Sequence, residues 1–320
     1  MKVLMVASGN NQPVYEVSPF VYEQSLALRE KGIEVEIFPI IGKGVFGYFK
    51  AVLKLYELLK GKKFDIIHGH YLMAALVTIL QFKIPVVASF IGRDINIPKY
   101  RILSKLTVFK RAKSIIFVTE KLQKISGCKR ESHIVQYGLD VNKFYPVNKQ
   151  EARKHLQWTE NIIYIFFSSR FDRVEKNAQL AFNAIEILEK KGIQCKLIEF
   201  RNIKAEELNF YYNACDLFLL TSVYEGSPQS IKEAIACNCP IVSTDVGDVK
   251  WVFGNTEGCY LTSFESIDVA DKIIRALAFV KERGRTKGRE RIFELGLDSG
   301  TIAGKIIEIY EKTIFKKLDQ

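Results

Sequence analysis

Short apolar runs alternate with amphipathic stretches along the whole chain. In the first half, Val3–Ala7, Val35–Ile40, Ile66–His68, Pro85–Phe90, Ser114–Val118 and His133–Gln136 have the length and β-branched content of buried strands. Helical spacing of apolar positions falls near Pro19–Lys31, Val45–Lys60 and Arg101–Ala112, with a short helix from Glu120. Tyr137–Pro146 carries the glycine, proline and polar spacing of a linker. The alternation then restarts, with strands at Ile162–Phe167, Cys195–Phe200, Leu217–Thr221 and Pro240–Ser243. Helices at Ala178–Lys191, Ala205–Ala214 and Ser227–Cys237 lie between them, and terminal helices begin near Ile267. Strand–helix alternation predicts parallel sheets wrapped by helices. The expected fold class is α/β, two doubly wound Rossmann-like domains facing across a cleft. The expected boundaries are 1–147 and 148–300, with a C-terminal helix, 301–320, free to pack back on the first domain.

The segment Tyr224–Thr244, YEGSPQSIKEAIACNCPIVST, holds two glutamates, Glu225 and Glu233, separated by seven residues. Ser227 is a good N-cap and Pro228 suits the first helical position. Glu225 then precedes the helix and Glu233 projects from its second turn. The free N–H groups of Gly226, Ser227, Gln229 and Ser230, with the positive end of the helix dipole, attract phosphate. Two carboxylates beside an anion hole suit a ligand with a diphosphate and several hydroxyls, such as a nucleotide-sugar. Upstream, SSRFDRVEKN (168–177) leaves the carboxyl end of a strand, where such sheets bind ligands. Arg170 could grip a diphosphate as a fork and Lys176 as a point charge.

Glu-x7-Glu followed by Ala-x-Ala and Pro-Ile-Val resembles the signature of the family 4 retaining glycosyltransferases (glycosyl transferases group 1), whose architecture is GT-B. Residues 170–176 resemble that family's Gly-Arg-Leu…Lys-Gly segment, with Ser169 and Asn177 replacing its glycines. Tyr137-Gly138-Leu139-Asp140 with Phe144 and Pro146 resembles its Asn-Gly-Val-Asp…Phe-x-Pro element; there Gly138 permits positive φ and Asp140 can cap a turn. VVASFIGRDIN (86–96) resembles its His-Gly-x-Asp segment, with Gly92 and Asp94 matching and Ile91 at the histidine position. DIIHGH (65–70) resembles its Asp-Ile-Ile-His-x-His strand end.

The resemblance implies transfer of a sugar, with retention, from a UDP- or GDP-linked donor to a hydroxyl on a lipid-linked or oligosaccharide acceptor. It implies that Arg170 and Lys176 neutralise the leaving diphosphate, that Glu225 holds donor-sugar hydroxyls and Glu233 the ribose, and that the base lies near Ile203. It sets Gly9, Ser18, Gly92 and Asp94 on the acceptor side. No cofactor and no metal are expected. Two rival readings stand beside it: a nucleotide-sugar epimerase of the same fold, and a catalytically degenerate binding subunit, which Ile91 favours. A strand–helix unit common in the family is missing between Phe200 and Ala205.

Composition adds a partner. Residues 1–150 hold 23 Lys and Arg against 11 Asp and Glu, whereas residues 151–320 hold 24 against 25. The whole basic excess therefore belongs to the first half. It lies largely in two stretches that mix Lys and Arg with Phe, Tyr and Leu, Lys43–Lys63 and Lys99–Lys113. That pattern predicts contact with an anionic membrane face. No recognised nucleic-acid module accompanies the charge and no GxGxxG marks a dinucleotide site, so neither partner is expected. No apolar run approaches membrane-spanning length, and the N-terminal apolar run is too short for a signal peptide. The six scattered cysteines form no paired CxxC units. A cytoplasmic protein, peripheral on the inner face of the plasma membrane, is the expected setting for surface polysaccharide or glycolipid assembly.

Overall fold

A computed structural model describes residues 1–9, 17–42 and 44–315. The chain forms two units, one of residues 1–138 and 299–320, the other of residues 139–298. The first contains β1 (Lys2–Ser8), α1 (Pro19–Glu30), β2 (Glu34–Ile40), α2 (Gly44–Gly61), β3 (Ile66–His70) and α3 (Tyr71–Ile79). It continues through β4 (Val86–Phe90), α4 (Arg93–Asn96), α5 (Pro98–Leu106), α6 (Val108–Arg111), β5 (Ser114–Phe117), α7 (Glu120–Ser126) and β6 (His133–Ile134). The second holds α8 (Lys149–His155), β7 (Ile163–Phe167), α9 (Ala178–Lys190), β8 (Cys195–Ile198), α10 (Leu208–Ala214) and β9 (Leu217–Leu220). Then come α11 (Gln229–Ala236), β10 (Ile241–Thr244), α12 (Val249–Phe253), β11 (Cys259–Thr262), α13 (Ser266–Arg283) and α14 (Gly288–Glu294). The chain ends in the first unit with α15 (Ser299–Phe315), which packs on α1.

Both sheets are parallel throughout. The first has six strands in the order β2-β1-β3-β4-β5-β6, and the second five in the order β11-β10-β9-β7-β8. Helices cover both faces of such a sheet, which is why β1, β4 and β9 read as apolar runs and β3 is buried along its whole length. In each sheet the strand order reverses once, between β1 and β3 and between β7 and β9. Loops leaving the carboxyl ends of strands at such a reversal diverge and leave room for a ligand.

Several local expectations are corrected. Arg101–Ala112 is two helices, because the backbone turns at Thr107 (φ −122°, ψ −80°). Gly138 is not at positive φ; a Cβ there would lie 2.7 Å from Ser299 Cα, so close approach of α15 is what demands glycine. Asp140 does cap its turn, accepting from the N–H groups of Asn142 (2.8 Å) and Lys143 (3.3 Å). Ser18 is the N-cap residue of α1 and Pro19 follows at its first position, but the Ser18 hydroxyl makes no capping bond. The loop residues Asn10–Glu16, Lys43 of the first basic stretch and residues 316–320 lie outside the described residues.

Candidate active site

In the second unit the β7 and β9 loops meet at the sheet's reversal point. Asn177 sits in the left-handed region (φ 52°, ψ 52°), a conformation asparagine tolerates, and this explains how it replaces a glycine after the lysine. Thr221 Oγ1 donates to the carbonyls of Lys176 and Asn177, both at 3.0 Å. Val223 N–H donates to Glu175 O at 2.9 Å. These bonds lock the two loops together, so residues 49 apart in sequence meet: Lys176 Nζ lies 2.5 Å from Glu225 Oε1. Ser222 Oγ donates to the same carboxylate oxygen at 2.8 Å. Lys176 is nearly buried, so its ammonium is neutralised by Glu225 instead of water.

Arg170 goes elsewhere. Its Nε donates to Asp172 Oδ1 (3.1 Å), and Arg201 bridges Asp172 and Glu199 at 3.4 and 2.9 Å. Arg170 therefore stands half-exposed in a solvated ion cluster, where pairs are cheap to exchange. Ile203 follows this cluster in the irregular segment between β8 and α10. Glu233 does project from the second turn of α11, and its Oε2 accepts from the buried Tyr212 hydroxyl at 2.7 Å. Burial, with the Glu233 carboxylate beside it, pushes the Tyr212 phenol well above its ordinary range.

The helix start is corrected. Pro228, not Ser227, occupies the N-cap position of α11, and no side chain caps it. The Ser227 hydroxyl turns away and donates to Asp248 Oδ2 at 2.6 Å. Pro228 supplies no side-chain cap to the start of α11, whose first-turn N–H groups suit an anion.

In the first unit the reversal point between β1 and β3 carries a buried polar cluster. Gly9 N–H donates to Ile40 O (2.9 Å) at the end of β1. His68, on β3, bonds Tyr310 OH through Nδ1 (2.6 Å) and Ser89 Oγ through Nε2 (2.7 Å). His70 bonds Tyr137 OH through Nδ1 (2.9 Å), whereas its Nε2 is buried without a hydrogen-bond partner. Burial holds His68 down at about 3 and His70 well below the usual histidine range, so both rings are neutral at pH 7. Tyr71 follows at φ 67°, a strained conformation for a tyrosine and typical of functional sites.

Asp94 Oδ1 accepts from the N–H groups of Gly92 (2.9 Å) and Ile91 (3.3 Å), while Oδ2 is buried without a partner. Burial raises the Asp94 carboxyl to about 6 despite those N–H groups. Ile91 packs against the first unit's core. Gly9, Ser18 and Gly92, with Asp94 at the start of α4, thus follow the carboxyl ends of β1 and β4 in this one sheet. Sequence reasoning did not single out Tyr71, Tyr212, Ser222 or Asp248; only contacts across the fold reveal them.

Comparisons with known proteins agree with this fold. Residues 163–278 match the model of the family described as "Glycosyl transferases group 1", and residues 12–143 match "Glycosyltransferase Family 4". A Bacillus subtilis protein named as a teichuronic acid biosynthesis glycosyltransferase, TuaC, is 28% identical over 66% of this chain; the match spans 61% of that protein's length. The N,N'-diacetylbacillosaminyl-diphospho-undecaprenol alpha-1,3-N-acetylgalactosaminyltransferase of Campylobacter jejuni is 24% identical over 98% of this chain and 95% of its own. Among solved structures, sucrose-phosphate synthase from Thermosynechococcus elongatus superposes with a TM-score of 0.78 at 16% identity, covering 97% of this chain and 98% of its own. Anabaena HepE, solved with UDP and glucose, superposes with a TM-score of 0.74 at 18% identity, covering 98% and 100%. Neither named relative is an epimerase.

Proposed function

From the premise that this chain belongs to the family 4 glycosyltransferases and has their GT-B architecture, we propose that it transfers a sugar with retention from a UDP- or GDP-linked donor to a hydroxyl of a lipid-linked acceptor. The observation that carries this reading is the union of Lys176, Glu225 and the start of α11 at one sheet reversal. An incoming diphosphate replaces Glu225 as the partner of Lys176 and lies on the N–H groups of the helix start. Glu225, released, accepts hydrogen bonds from the donor sugar, and Glu233 holds the ribose hydroxyls.

The acceptor oxygen forms a bond to the anomeric carbon as the bond from that carbon to the phosphate breaks. The departing diphosphate takes the acceptor's proton and keeps the bonding electrons. Lys176 and Arg170 stabilise that growing charge, so the chemistry proposed here calls on no metal. The acceptor belongs with Gly9, Ser18, Gly92 and Asp94 of the first unit. Ile91 stands in place of a sugar-binding histidine, and its side chain makes no hydrogen bond and repels water.

The acceptor reading extends to the surface of the first unit. Phe46 (89% exposed) and Phe49 on α2, Phe82 before β4 (76% exposed), and Ile102 and Leu106 on α5 all face solvent. These elements adjoin: Tyr56 OH on α2 donates to Leu80 O at 2.6 Å, and the Arg111 guanidinium stacks 5.0 Å from the Phe82 ring centre. Basic residues Lys50, Lys54 and Lys105 lie on these same helices, and Lys110 on α6. Apolar side chains ringed by lysines suit an anionic leaflet. No helix among the described residues is long and apolar enough to cross a membrane. The relative named for an undecaprenol-linked substrate supports a lipid-borne acceptor here.

Screening UDP- and GDP-sugars by thermal shift tests the donor assignment. A donor at 100 times its dissociation constant adds about 2.7 kcal/mol of stability. A panel that leaves the melting temperature unmoved would overturn the proposal.

A further inference from the structure

Beneath the start of α11 lies a lysine with no exposed surface. Lys232 is 0% exposed, and its Nζ donates to Gln229 Oε1 at 3.3 Å. The negative charge around it comes from Asp248 and Glu233. Asp248 is also buried; its Oδ2 accepts from Ser227 Oγ, and its Oδ1 has no hydrogen-bond partner. Burial dominates on both sides, lowering the Lys232 ammonium and raising the Asp248 carboxyl, while each opposes the other's shift. An apolar side chain of the same length would fill the space without that desolvation cost. The backbone explains what the charges hold. Gly247 has φ 60°, and a Cβ there would meet Gly226 O at 2.5 Å and Pro228 Cδ at 3.2 Å. The β10–α12 loop therefore presses directly against the turn that opens α11.

We propose that Lys232 and Asp248 are positioning residues: buried opposite charges, one bonded to Gln229 at the start of α11 and the other to the Ser227 hydroxyl, that fix the Gly226–Pro228 turn so that the α11 N–H groups face the donor's diphosphate. The inference deepens the donor-site reading above and rests on it. Neither residue touches the ligand. Lys232 is sealed under the helix, and Asp248 spends its accessible oxygen on Ser227. The pair acts by preorganisation: a turn already held in the binding geometry loses less freedom when the anion arrives.

The test uses the full chain and isothermal titration with UDP and with GDP. Lys232→Met, which strands the Asp248 carboxylate in the interior, is expected to lower the melting temperature and weaken nucleoside diphosphate binding about tenfold. Adding Asp248→Asn removes the stranded charge and should restore the melting temperature while the affinity stays low. That split separates positioning from mere stability. Ser227→Ala leaves both buried charges intact and cuts the link of Asp248 to the turn, so it decides the matter if Lys232→Met does not fold. A folded double variant, or Ser227→Ala, that binds like the wild type overturns the inference alone. Wild-type protein that binds neither nucleotide overturns the donor-site reading and this inference with it.

Discussion

The two units treat the polar groups of their candidate sites differently. In the second, the charged side chains of the donor side have local partners, Lys176 with Glu225, Glu233 with Tyr212 and Arg170 with Asp172, and the atoms buried without a hydrogen bond, Ser168 Oγ and Asp248 Oδ1, lie beside them. In the first, the corresponding place leaves His70 Nε2, Asp94 Oδ2 and Ser18 Oγ buried with no hydrogen bond. A paired site binds by exchange, so a ligand must offer a better partner than the one it displaces. An unpaired site binds by completion, because the cost of burying those atoms was met when the chain folded. Exchange suits a doubly charged diphosphate, which competes well for an ammonium. Completion suits a neutral hydroxyl, which competes poorly for anything already satisfied.

The largest expected effect breaks the exchange. Lys176→Ala should cut turnover about 10²–10³-fold with the fold intact, since stabilisation of a charge that grows at the transition state is lost. Arg170→Ala should act in the same direction. Wild-type rates with a donor that demonstrably binds would remove both residues from the mechanism. Next comes the membrane-facing side of the first unit. Replacing Lys105, Lys110 and Arg111 by glutamate should weaken co-sedimentation with anionic vesicles roughly 10²-fold, at about 1 kcal/mol per basic residue. Donor affinity should stay unchanged. Wild-type protein that stays in the supernatant at low salt would make these helices ordinary solvated faces.

A smaller effect isolates the unpaired site. Asp94 holds its proton more tightly in the folded chain than when unfolded, so its ionisation costs stability as pH rises from about 4 to about 6. Asp94→Asn should therefore gain on the wild type across that window by on the order of 2 kcal/mol, as read from urea unfolding at pH 4 and pH 7.5. Parallel stability curves would mean the carboxyl is not desolvated. The smallest expected effect is none: turnover should survive excess EDTA, and loss restored by a divalent ion would show that Arg170 and Lys176 do not suffice.

The doubly wound α/β class was legible because parallel strands buried on both faces must read as apolar runs between amphipathic helices. α3 was invisible to that logic. Residues 71–79 are apolar all round, so no period distinguishes this helix from the strand before it. α8 was missed for the opposite reason: KQEARKH is nearly all polar, and Asn148 caps it by accepting from Gln150 and Glu151 N–H. At the candidate site, residue types and loop positions could be read, but partners could not. Ser227 has every attribute of an N-cap, and only the approach of Gly247 and Asp248 from 20 residues downstream redirects its hydroxyl. Strand order was equally beyond the sequence, and it decides that the β7 and β9 loops meet.

The return of α15 to the first unit has a consequence for synthesis. Tyr310 closes the hydrogen bond to His68 across 242 residues of chain, and Ser114 Oγ meets Thr313 Oγ1 across 199. A ribosome delivers residues 139–298, a contiguous unit with a core of its own, before it delivers either partner. The domain that emerges first is therefore completed last. Its β3 histidines and the flank of α1 wait, uncovered, through the translation of the whole second domain. A nascent chain stalled near residue 298 would expose that gap to chaperones, and a truncation before Ser299 would make the exposure permanent.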